Sequence, residues 1–319
     1  MFKWFLIFIL VVILILIAFY NILVWTEDKV LYYPSKKRIY RPKIPHKHVY
    51  INVSNPEDVC YHSRDKSKDS DYISGWWFNN FPGAKTVLFC HGNSGNITHR
   101  KYIIDICQEF GLNLFVYDYR GFGKSDSFPY KTFFKEDGEA AYEFLRYKCK
   151  TPAKKILVWG ESVGGVAASW IASKYKCSGL ILMCTFSSLD DILTYQFDGK
   201  GQQAIKILTG FARMRTDTLP IKEYIKNVKC PVIVIHSNKD ELIPYTCSWI
   251  NYHNISHKNK MHVKIKGGHS SPDIRSYQCK KIFEFCDMPL DHLESTDLSS
   301  ILQDLKTFAK RHNNFIDSL

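Results

Sequence analysis

The residue pattern predicts an α/β fold, with a mostly parallel sheet and helices on both faces, from three observations. The balance of 45% hydrophobic and 23% charged residues is that of a folded chain. Short continuous apolar runs recur: TVLFC (86–90), LNLFVYD (112–118), KILVWG (155–160), GLILMC (179–184), VIVIHS (232–237) and HVKIK (262–266). Helical stretches such as FFKEDGEAAYEFLRYKC (133–149) fall between them. Strands buried on both faces need such runs, and alternation with helices implies right-handed crossovers joining parallel strands.

The remaining elements follow in chain order. WFLIFILVVILILIAFYNILVW, Trp4 to Trp25, has Asn21 as its only strongly polar member. At about 1.5 Å per residue it reaches roughly 30 Å, the thickness of a bilayer's hydrocarbon core, so residues 1–25 are expected to form a transmembrane anchor. A cleavable signal peptide fits less well, because the run is long and no small-x-small site follows it. Residues 26–47 are expected to be a basic juxtamembrane linker: SKKRIYRPKIPHK supplies Lys36, Lys37, Arg38, Arg41, Lys43 and Lys47, against Lys3 alone before the run. The positive-inside rule then puts the main domain in the cytosol, with the basic segment on anionic lipid. HVYINV (48–53) and YISGWWF (72–78) read as two further strands, antiparallel because no crossover helix fits between them, with RDKSKDSD an exposed loop.

The main domain is expected over 48–290, giving eight strands in all. One interval, 186–229, is longer than a simple crossover and contains LTYQFDGKGQQAIKILTGFARM. It reads as a small lid over the strand ends, or as a crossover helix with long loops. Residues 291–319 are expected to be a helical tail.

The net charge of +12 invites a nucleic-acid reading. Its local part is explained by the membrane, and the rest is scattered lysine with no nucleic-acid-binding motif, so no nucleic-acid partner is expected. Ten cysteines include Cys90 and Cys184 inside apolar runs and make no C-x-x-C pair, which favours reduced core residues over a disulfide framework. Asn52-Val53-Ser54, Asn96-Ile97-Thr98 and Asn254-Ile255-Ser256 are glycosylation sequons that would matter only in a secretory lumen.

Serine is a poor nucleophile without a base to take its proton, a carboxylate to orient that base, and donors for the oxyanion. Ser162 stands in Gly160-Glu161-Ser162-Val163-Gly164, between a buried run and a small-residue helical pattern. In that spacing the glycines allow a strained strand-to-helix turn, and the helix amino terminus favours negative charge. His269, in Gly267-Gly268-His269-Ser270 after the last run, is the candidate base. Asp240 in VIVIHSNKDELIP is the candidate acid, with Glu241 the weaker choice. The order Ser162, Asp240, His269 is that of the α/β-hydrolases. Val163 N–H and Asn93 N–H, the latter in His91-Gly92-Asn93-Ser94-Gly95, are the expected oxyanion donors. His91 is read as a structural residue of its loop, and Asp118 and Arg120 in YDYRGFGKSD as a salt-bridged turn. No metal-ligand spacing and no phosphate-cradling glycine loop occurs, so neither metal nor cofactor is expected.

The motifs FCHGNSGNITHR, YDYRGFGKSD and GESVGG, with the Asp240 and His269 loops in that order, resemble the α/β-hydrolase-fold serine hydrolases, particularly the membrane-anchored Bem-like branch. The resemblance covers roughly residues 30–290. It implies an eight-stranded sheet and hydrolysis of an acyl ester, thioester or amide through an acyl-serine. A lipid ester or S-acylated protein is the substrate suggested by the anchor. The rival readings are a peptidase of the prolyl-oligopeptidase type, disfavoured by the lack of a propeller-sized domain, and a catalytically silent membrane-bound interaction protein.

Overall fold

The computed structural model describes residues 3–4, 7–15, 17–18, 32–63, 70–130, 132–196, 219–270 and 272–286. Nine strands form the main sheet: β1 (Lys47–Asn52), β2 (Val59–Tyr61), β3 (Tyr72–Phe78), β4 (Thr86–Cys90), β5 (Asn113–Asp118), β6 (Ile156–Glu161), β7 (Gly179–Met183), β8 (Val232–Ser237) and β9 (Lys260–Ile265). Their order is β9-β8-β7-β6-β4-β5-β3-β1-β2. From β9 to β5 every pairing is parallel; β3, β1 and β2 add antiparallel pairs. The mostly parallel sheet and the antiparallel pairing of the 48–53 and 72–78 strands agree with expectation. The expected count of eight does not: the extra strand is Val59–Tyr61, a short edge strand on β1.

The apolar runs are explained by what covers each face. Along β6 the side chains alternate: Ile156 and Val158 join one core, Leu157 and Trp159 the other. Helices α2 (Phe133–Glu143) and α3 (Gly164–Lys174) close the first face, while α1 (Lys101–Glu109) closes the second. Later helices are α4 (Leu189–Gln196), α5 (Ile221–Tyr224), α6 (Tyr245–Asn254) and α7 (Ser276–Phe285). Helix α7 shows why it docks: Cys279, Ile282 and Phe283 lie at i, i+3 and i+4, and Cys286, at i+7 just past its end, completes a stripe that is wholly buried. A side chain such as Phe283, fully buried there, contributes about 1.5–3 kcal/mol. All ten cysteines are free thiols.

The amino-terminal region divides. Of the predicted anchor, residues 3–4, 7–15 and 17–18 are helical, and Ile7 to Ile15 are all solvent-exposed; the rest of 1–25 lies outside the described residues. Among the described residues no helix is long and apolar enough to cross a membrane. Residues 26–31 and the predicted tail at 291–319 lie outside them too, as do 64–69 of the polar loop.

From Tyr32 onward the expected linker is a strap bonded to the domain. Tyr33–Pro34 pairs in parallel with Ser94–Gly95. Asn96 Nδ2 donates to Ser35 O (2.7 Å) and Lys37 O (2.8 Å), and Ile39 N donates to Thr98 Oγ1 (3.1 Å). Asn96 is 1% exposed, and its Oδ1 accepts from Thr98 N (2.9 Å). A glycan on that amide is incompatible with the fold, so the Asn96 sequon says nothing of topology.

Within the interval 186–229, residues 197–218 lie outside the described set, so the expected lid or crossover falls largely outside it and only the two flanking ends are described. There Lys222 Nζ donates to Asp191 Oδ2 (2.8 Å) and Lys222 N donates to Ser187 O (3.0 Å), pinning the two ends together.

Because Asn96 satisfies two strap carbonyls at once, Asn96→Ala is expected to cost about 1–3 kcal/mol. The midpoint of urea unfolding reads it; a midpoint equal to wild type would mean the strap adds nothing to stability.

Candidate active site

Ser162 follows β6 directly and precedes α3, and the chain can turn there only through an unusual backbone. Its φ is +53°, in the left-handed region that non-glycine residues rarely adopt, a strain of about 1–3 kcal/mol. The turn is held by Ser162 N donating to Met183 O (2.9 Å) and Gly165 N donating to Ser162 O (3.0 Å). The flanking glycines are steric requirements. A Cβ at Gly160 would lie 2.7 Å from Ala168 Cβ, and one at Gly164 would run into the Cys90 carbonyl oxygen.

The three residues expected to act together are brought together. Ser162 Oγ lies 3.0 Å from His269 Nε2, and His269 Nδ1 lies 2.8 Å from Asp240 Oδ2. A carboxylate can only accept, so Nδ1 carries the proton in that bond, leaving Nε2 of a neutral ring free to accept from the Ser162 hydroxyl. The Asp240 side chain is fully buried. Its Oδ1 accepts from Ile243 N (2.7 Å) and Leu242 N (3.0 Å), amides at the turn after β8.

Burial alone would push the Asp240 carboxyl up. The hydrogen bonds of His236 and His269, the charge of His269 and the Ile243 amide outweigh it and hold the carboxyl well below the usual range. For His269, burial disfavours the charged ring, but the hydrogen bond and charge of Asp240, with Glu161 and Glu241, raise it above the ordinary histidine value. Asp240 therefore stays ionised while His269 is a stronger base than usual.

The expected oxyanion donors sit on two segments beside the serine. Val163 heads α3, whose first-turn amides have no helical acceptors. The Asn93 loop passes close: a Cβ on Gly92 would lie 3.4 Å from Ser162 Cβ. Arg100, 4% exposed, braces that loop by donating from Nη2 to Ser94 O (2.8 Å). Arg100 Nε is 3.3 Å from Glu161 Oε2, which also takes the Gly92 amide at 3.4 Å. On the outer side Tyr33 N donates to Asn93 O (2.9 Å), tying the strap to the loop.

Four contributors were missed or undervalued by sequence reasoning. His236, buried, places Nε2 3.3 Å from Asp240 Oδ2 and 3.0 Å from Ile243 O; its only sequence signal is a polar residue inside VIVIHS, four before Asp240. Glu241, the weaker choice of acid, instead accepts the His269 amide through Oε2 (2.9 Å) and so holds the histidine loop. Glu161 and Arg100 carry no spacing signal, since they meet only through the fold. The structural reading of His91 agrees with the contacts, but the expected salt-bridged turn does not close on itself: Arg120 pairs with α2 and not with Asp118, which accepts Ile97 N (2.8 Å). His91 Nδ1 donates to Gly92 O (2.7 Å) from a fully buried ring, and Arg120 pairs with Asp137 (2.6 Å) and Glu136 (2.5 Å). Among the described residues no group of three or more His, Cys, Asp and Glu could hold a metal ion.

Comparison with known proteins agrees with this architecture. Residues 85–215 match the family described as alpha/beta hydrolase fold. The alpha/beta hydrolase domain-containing protein WAV2 of Arabidopsis thaliana is 30% identical over 191 residues, 56% of this chain and 61% of that protein. Protein bem46 of Schizosaccharomyces pombe is 32% identical over 162 residues, 50% of this chain and 52% of that protein. The chain thus spans about half to three-fifths of these relatives' length. Among solved structures, the Pyrococcus furiosus esterase Pf2001 superposes with a TM-score of 0.59 at 19% identity, covering 81% of this chain and 97% of that one, a likeness of fold.

Since Gly164 abuts backbone that cannot retreat, Gly164→Ala is expected to destabilise by about 3 kcal/mol, the upper end for overpacking. Chemical denaturation measures it; a loss below 1 kcal/mol would show that the α3–β4 approach is softer than argued.

Proposed function

We propose, from the match of residues 85–215 to the alpha/beta hydrolase fold family, that the chain is a serine hydrolase cleaving an acyl ester or thioester. The observation that carries this reading is the hydrogen-bonded chain Ser162–His269–Asp240, at 3.0 and 2.8 Å, on a turn strained to present the serine. Ser162 Oγ attacks the acyl carbonyl carbon while His269 Nε2 takes its proton. The Asn93 and Val163 amides receive the oxyanion. Collapse expels the alcohol or thiol, protonated by His269; water, deprotonated by the same nitrogen, then attacks the acyl-serine and frees the acid. Asp240, kept ionised, holds the ring in the required tautomer and stabilises the imidazolium.

The proposed setting is a membrane. Nine consecutive apolar side chains, Ile7 to Ile15, are exposed around a helix, a surface that water disfavours and lipid does not. The basic strap that follows favours the cytosolic face. An anchored catalytic domain beside lipid makes lipid esters or S-acylated proteins the substrates in view.

A fluorophosphonate probe is expected to label the wild type and not Ser162→Ala. Only neutral His269 can take the proton, so labelling should rise with pH through an apparent value above that of an ordinary histidine and fall away below it. Asp240→Asn should cut the rate by about 10⁴. Labelling that survives Ser162→Ala would sink the mechanism. For the setting, protease added to intact microsomes is expected to digest the catalytic domain; a protected domain would reverse the proposed topology.

A further inference from the structure

Beside the strap, Lys36, Arg38, His48, Asn96, Asp118 and Lys124 line a shallow open cleft. Its charges do not balance. The acids are answered: Asp118 Oδ1 accepts Ile97 N (2.8 Å), and Asp118 and Asp126 both act on Lys36, whose Nζ donates to Ser125 O (3.2 Å). Arg38, Arg41 and Lys124 are different. All three are exposed, and among the described residues none has an ion-pair partner.

The crowding of like charge is visible in its effect on neighbours. After burial, Arg38 and Arg41 lower the Lys124 ammonium, and burial followed by Lys124, Arg38, His46 and His62 pushes His48 down to about 4. His48 is therefore neutral at ordinary pH, with Nε2 2.8 Å from Ser74 Oγ. What remains is a guanidinium from the strap and an ammonium from the 119–126 loop, both lining one open cleft whose acid, Asp118, is already engaged by the Ile97 amide.

We propose that this cleft binds a phosphate group, gripped by Arg38 and Lys124, with Lys36 and Arg41 adding positive field. Arginine's planar fork matches two phosphate oxygens at once, and lysine supplies a point charge on a third. The two cations come from segments 86 residues apart, so a ligand held by both also clamps the strap against the domain. A phospholipid headgroup and free phosphate share this chemistry. Only the headgroup source rests on the proposed membrane setting; the phosphate site does not depend on Ser162 reacting.

The test uses the full chain carrying Ser162→Ala in non-ionic detergent, titrated calorimetrically with dihexanoyl phosphatidic acid, inorganic phosphate and dihexanoyl phosphatidylcholine. The two probes with a terminal, unblocked phosphate, phosphatidic acid and inorganic phosphate, are expected to bind, more weakly as salt rises, and the zwitterionic phosphodiester phosphatidylcholine at least tenfold less tightly. Lys124→Ala and Arg38→Ala should each weaken binding about tenfold or more. Lys43→Ala, on the same basic segment but away from the cleft, should change it less than about twofold. Phosphatidic acid binding tighter than inorganic phosphate assigns the site to a headgroup, and equal binding assigns it to free phosphate. No binding by either probe, or equal loss with Lys43→Ala and Lys124→Ala, overturns the proposal. Because Arg38 and Lys124 are exposed, their removal leaves the fold intact, and probe labelling of Ser162 in the parent protein reports separately on the catalytic reading.

Discussion

The close approach of α3 to β4 is the constraint on which the rest of the site depends. Gly164 sits so near the Cys90 carbonyl that no side chain fits, and Gly160 so near Ala168 that none fits there either. With both glycines in place, the chain leaves β6, reverses through a left-handed serine and enters α3 with Val163 as its cap. That reversal sets Ser162 against Gly92 and aims it along the helix amino terminus. A larger residue at either position would separate strand from helix, and the serine, the Val163 amide and the Asn93 loop would lose their common centre.

Electrostatics then divides the work between two titrating groups that touch. Asp240 is wholly buried, where a carboxylate is costly, yet two amides and two imidazoles surround it, so the charged form wins. That fixed negative charge raises His269 in turn. His236 matters here because its buried Nε2, bonded to Ile243 O (3.0 Å) and 3.3 Å from Asp240 Oδ2, favours the ionised carboxylate. Glu241 sits one residue away but faces the His269 backbone, which explains why adjacent acids have different duties: one tunes the ring, the other places it.

Much of this was legible in the sequence, for a physical reason. Strands β4 to β8 are buried on both faces, and double burial leaves an unmistakable apolar run; the glycines of the serine turn and histidine loop are demanded by backbone sterics, which sequence records directly. Val59–Tyr61 was not legible because an edge strand with only partly buried residues has no such run. The docking of residues 32–39 was not legible because it depends on the Asn96 amide donating to the backbone carbonyls of Ser35 and Lys37, and carbonyls leave no trace in residue choice. Asn96 stands in a tripeptide that matches a surface motif, while its employment as an internal donor shows only in the folded chain. His236, Arg100 and Glu161 met the site through long-range packing that no local spacing encodes.

The strap also changes how the amino-terminal region relates to chemistry. Its backbone is hydrogen-bonded to the loop carrying Asn93, so any force on residues 33–39 is delivered to one of the two expected oxyanion donors. Ordinary linkers isolate a domain from its tether; this one is laid along the site as a short parallel ribbon, with Asn96 as rivet. Oxyanion stabilisation is steeply sensitive to donor position, because a preorganised N–H contributes only where charge develops. Residues 33–39 and the Asn93 loop therefore have little slack in which to move independently.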